Sequence, residues 1–84
     1  MLQLPPDGGG RLVTLGSDIL NGQQPQVVVE AGTWQGAFVR EGADFALMGC
    51  TVSPGFEFAD YQRADRDQLI RLYPDMAELI IHLT

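Results

Sequence analysis

A mainly β fold closed by two short helices is the class this sequence predicts, on three observations. Residues 11–55 hold four runs rich in β-branched, aromatic and apolar residues, set apart at short spacing by Gly, Pro, Asn and Asp. From Asp65 onward the apolar residues switch to a helical period. With 84 residues the chain makes one domain at most, here taken as residues 1–84. Four strands at that spacing argue for a sandwich or barrel.

Residues 1–10 end in Pro5-Pro6-Asp7-Gly8-Gly9-Gly10 and read as a turn or flexible lead. Arg11 to Leu15 is the first strand, stopped by Gly16-Ser17-Asp18. Asn21-Gly22 marks a turn before Gln26 to Glu30, whose three consecutive valines suit a strand covered on both faces. Trp34 to Val39 is the third strand, Arg40 to Asp44 a polar hairpin-like connection, and Phe45 to Ser53 a long fourth strand ended by Pro54-Gly55. In that last strand Ala46, Met48, Cys50 and Val52 share one face, and both faces are largely apolar.

Residues 56–84 are an aromatic connection and two helices. Asp65 with Gln68 has the form of a capping pair ahead of Leu69, Ile70 and Leu72. Tyr73-Pro74 interrupts that helix and Pro74 opens the next, in which Met76, Leu79, Ile80 and Leu83 recur at i, i+3, i+4 and i+7.

Composition bounds the function. Eleven acidic and five basic residues give a net charge of −6, and 45% hydrophobic with 19% charged content is globular rather than disordered. The five basic residues are scattered arginines, Arg11, Arg40, Arg63, Arg66 and Arg71, which leaves no footprint for nucleic acid or an anionic membrane. No secretory signal or apolar run of membrane-spanning length is present, so a cytoplasmic setting is expected. Cys50 and His82 are single residues of their kind and make a structural metal site unexpected. Cys50 reads as a small hydrophobe, and His82 as a helix-terminal residue set favourably against the dipole. Glu57 and Asp60 are a conceivable proton-transfer pair, more simply read as solvated loop charges.

The runs Val28-Val-Glu-Ala-Gly-Thr-Trp-Gln35, Phe45-Ala-Leu-Met-Gly-Cys-Thr-Val-Ser-Pro-Gly-Phe-Glu-Phe-Ala-Asp60, Leu72-Tyr-Pro and Glu78-Leu-Ile resemble the C-terminal half of a cupin family of unknown function. That family is similar to single-domain cupins of the RmlC-like jelly-roll type, roughly twice this length. The resemblance implies a partial jelly-roll, a half-barrel antiparallel sheet followed by the two helices, without the first cupin motif. In the second cupin motif a proline and a glycine two apart precede a histidine three residues after the glycine; those positions hold Glu30, Gly32 and Gln35. A carboxamide is a poor transition-metal ligand, so no metal and no other cofactor is expected.

A closed barrel needs about eight strands. Four or so leave open edges and an apolar face, and the expected remedy is association with a second copy, as a homodimer or larger oligomer. A small polar or sugar-like ligand would then meet a pocket at the subunit interface, with Gln35, Trp34, Phe38, Phe45 and Thr51 as its candidate lining and no catalytic residue assigned. Strand alternation puts Trp34 and Phe38 on one face and Gln35 on the other, which favours Trp34 as a packing anchor. Two further readings follow the resemblance: a sugar isomerase or epimerase, and a structural half-cupin without chemistry.

Overall fold

The computed structural model describes residues 1–84 and places Leu2–Leu4 as β1, the central strand of a three-stranded antiparallel sheet ordered β2-β1-β3. Its neighbours are β2 (Arg11–Leu12) and β3 (Trp34–Gly36). Leu2 pairs with Leu12 and Gly36, Gln3 with Arg11 and Gln35, and Leu4 with Trp34. The two-residue period of a strand then sorts the sheet. Leu2, Leu4, Leu12, Trp34 and Gly36 share one face, while Arg11, Gln3 and Gln35 form a polar row across the other.

The apolar face is covered by α1 (Arg66–Leu72) and α2 (Ala77–Leu83). Asp65 caps α1 as its sequence predicts, with Oδ1 accepting from the backbone N–H of Asp67 at 3.0 Å and of Gln68 at 3.3 Å. Tyr73 ends the helix, and Pro74–Met76 turns in a 3-10 geometry into α2. Ile80 is buried in the core and Met76, Leu79 and Leu83 pack against it, so the predicted stripe is the inward face. The core is Leu2, Leu4, Leu69, Tyr73 and Ile80, with Trp34 packed at its margin. The Tyr73 hydroxyl donates to the carbonyls of Pro5 at 2.6 Å and Leu4 at 3.3 Å, tying the helical layer to the end of β1. At Gly36 a Cβ would lie 2.9 Å from Leu83 Cδ1, so the missing side chain is what lets α2 approach β3.

Several elements differ from the sequence expectation. The supposed lead supplies the central strand, because Leu-Gln-Leu has the alternation of a strand even though three residues are too few to stand out. The turn follows it, with the Gly8 N–H bonded to the Pro5 carbonyl. The strand expected over Arg11–Leu15 ends at Leu12; Leu15 makes only an isolated parallel bridge to Gln24. The third strand stops at Gly36 rather than Val39. Gln26–Glu30 and Phe45–Ser53 are not strands, and no backbone hydrogen bond involves a residue between Asp44 and Phe56. A strand needs a partner as well as propensity, and these segments have none within the chain. Cys50, expected within an apolar face, is exposed for the same reason. The Arg40–Asp44 connection does turn, with Gly42 at φ 95° and the Ala43 N–H on the Arg40 carbonyl.

The consequence is an unusually open surface. The chain exposes 7010 Å², against about 4,900 Å² for a folded monomer of 9.2 kDa, an excess of about 2,100 Å². Its radius of gyration, 13.7 Å, exceeds the value of about 11.9 Å usual for this length. Phe45, Leu47, Met48, Val52, Phe56 and Phe58 contribute to that excess, Leu47 being 95% exposed.

Candidate functional site

Two features adjoin at the end of the sheet away from the β1–β3 pairing of Leu4 with Trp34. The first is an open, mainly apolar groove of about 780 Å³ between the segment leaving β2 and the segment leaving β3. Leu12, Val13 and Leu15 line one side, and Phe38, Phe45 and Leu47 the other. The Met1 amino group lies at this end and donates to the Val13 carbonyl; burial holds its pKa below the ordinary value.

The second is the polar row. Gln3 is the one buried polar residue of the chain, 1% exposed on the central strand. Its amide is fully engaged: Oε1 accepts from Arg11 Nε at 2.8 Å, while Nε2 donates to the Val28 carbonyl at 3.3 Å and contacts Met1 Sδ at 3.5 Å. Gln3 thereby holds the unpaired Val28 segment to the sheet and fixes the Arg11 side chain. Gln35 flanks Gln3 on the opposite side, its own side chain exposed.

The predicted site residues separate. Trp34 packs against the core on the helical face, and Phe38 stands edge-on to His82 of α2, ring centroids 4.9 Å apart and planes at 77°. Gln35 lies on the opposite face, as the alternation requires. Phe38 and Phe45 line the groove, and Thr51 is exposed in the unpaired run beyond it. Glu57 and Asp60 are exposed at a 3-10 turn that has no side-chain cap bond. Neither Gln3 nor Arg11 stands out in the sequence as a site residue. The alternation Leu2-Gln3-Leu4 carried a signal for Gln3, but its pairing with Arg11 is a matter of register.

A cupin transition metal does not fit here. Around Gln35 the side chains on this face are a second carboxamide and a guanidinium, a donor set of poor ligands beside a fixed cation. The single histidine is engaged with Phe38 on the helical layer. No helix is long and apolar enough to cross a membrane.

Compared with known families, residues 1–64 match the model described as Cupin superfamily (DUF985). The helical runs Leu72-Tyr-Pro and Glu78-Leu-Ile lie beyond that match. No curated protein and no solved structure matches the chain.

Proposed function

Since the chain belongs to the cupin superfamily (DUF985), we propose that it is a small-molecule-binding module whose open groove is completed by a second copy of itself. The observation that carries this reading is the surplus of exposed surface. About 2,100 Å² per chain, counted over two chains, falls in the range of obligate homodimer interfaces, which bury about 2,000–5,000 Å² in total.

The run Phe45–Ser53 is the natural contact. It has the composition of a buried strand, lacks any backbone partner, and through Phe45 to Gly49 lies along one wall of the groove. A second copy pairing with it would satisfy its amides, cover Leu47, and close the side on which the groove is open. A small molecule held there would meet an apolar wall from Leu12, Leu15 and Phe38 and a polar end near Gln35. Nothing in this arrangement pairs a base with an acid or a nucleophile, so binding accounts for it better than catalysis.

Amide hydrogen exchange tests the reading. At concentrations where the chain is associated, the amides of residues 45–53 should exchange at least about tenfold more slowly than after dilution to monomer. Equal, fast exchange in both conditions would show that the second copy does not pair with this segment.

A further inference from the structure

We propose that Arg11 is a carboxylate seat at the polar end of the groove, so that the ligand is a small carboxylic acid with an apolar body. This rests on the binding reading above and adds the chemistry of the ligand.

Three observations carry it. Arg11 is fixed from below: Gln3, almost wholly buried on the central strand, accepts from Nε at 2.8 Å and is itself held by the Val28 carbonyl. A buried carboxamide costs desolvation that an apolar side chain would avoid, and here its oxygen serves to orient a guanidinium. With Nε engaged, both Nη groups make no hydrogen bond to the protein and remain as a fork matched to two carboxylate oxygens.

The seat also adjoins the groove. Val13, two residues beyond Arg11, Ala37, two beyond Gln35, and Met1, whose Sδ touches Gln3 Nε2, all line it, so the row borders the groove. A ligand with its carboxylate on Arg11 would run its apolar part along Val13 toward Leu15, while Gln35, two strands across, offers a carboxamide to any hydroxyl or carbonyl it carries. The chain's net charge of −6 opposes anions in general, so a fixed guanidinium at this place selects by position rather than by bulk field.

The experiment is a calorimetric titration of the associated chain with hexanoate and, in parallel, with 1-hexanol, which has the same apolar body without the charge. Hexanoate should bind at least about tenfold more tightly than hexanol. Arg11→Ala should remove that preference, hexanoate then binding no more tightly than hexanol. Gln3→Leu keeps about the volume of the buried strand position and removes both the acceptor that fixes Arg11 and the bond to the Val28 carbonyl. It should lower the hexanoate preference several-fold while hexanol binds as before, an outcome that a general loss of structure would not give. Equal binding of the two probes to the unaltered chain would overturn the carboxylate seat and spare the groove. Binding of neither would overturn the groove and the seat together.

Discussion

Leu47→Asp should convert the associated chain to a folded monomer. In a single copy Leu47 is 95% exposed, so an aspartate there disturbs no contact within the chain. In the proposed dimer it lies on the Phe45–Ser53 run, and burying an unpaired carboxylate costs several kcal/mol, incurred twice across a symmetric interface. The dissociation constant should rise by at least about a thousandfold, with the circular dichroism of the helices retained. Analytical ultracentrifugation of the variant beside the unaltered chain reads this directly. An unchanged association constant would remove Phe45–Ser53 from the interface.

Ile80→Ala should have the largest effect on stability. Ile80 is 1% exposed at the centre of a core of only five buried apolar residues, between Leu69 of α1 and the leucines of β1. Large-to-small substitutions of this kind cost about 2–5 kcal/mol, against a total of about 5–15 kcal/mol for an ordinary domain. A melting temperature lowered by at least about 10 °C, or loss of a cooperative transition, is expected from thermal denaturation. Leu20→Ala is the control, since Leu20 is fully solvated in the 3-10 turn Ile19–Asn21 and should shift the midpoint little. Similar losses for the two would mean that Ile80 is not at the centre of the core.

The helices were legible because their determinants are local. Asp65 caps, Tyr73-Pro74 interrupts, and the spacing of Met76, Leu79, Ile80 and Leu83 defines a face, each within a few residues. The turn at Gly42 was legible for the same reason. Strands are different. The valines at 27–29 and the run from Phe45 to Ser53 have the composition of strands, yet whether they pair depends on a neighbour that a single copy does not supply. Leu2–Leu4 shows the converse: a segment too short to stand out becomes the central strand because β2 and β3 close on both its edges.

The same division applies to the site. Alternation alone set Gln35 and Trp34 on opposite faces, and packing then assigned Trp34 to the core margin. The row Arg11–Gln3–Gln35 joins residues from three separate stretches of chain, so only the register brings it into view. Phe38 against His82 is another such contact, linking the groove wall to the terminal helix, where sequence spacing showed only a histidine near a helix end.

In the proposed assembly a second copy of the chain covers the surface that one copy leaves open. Light scattering coupled to size exclusion, at several protein concentrations, measures it most directly. The expected mass is twice 9.2 kDa, or a higher multiple, persisting to micromolar concentration. A monodisperse, folded species of 9.2 kDa at every concentration would contradict it.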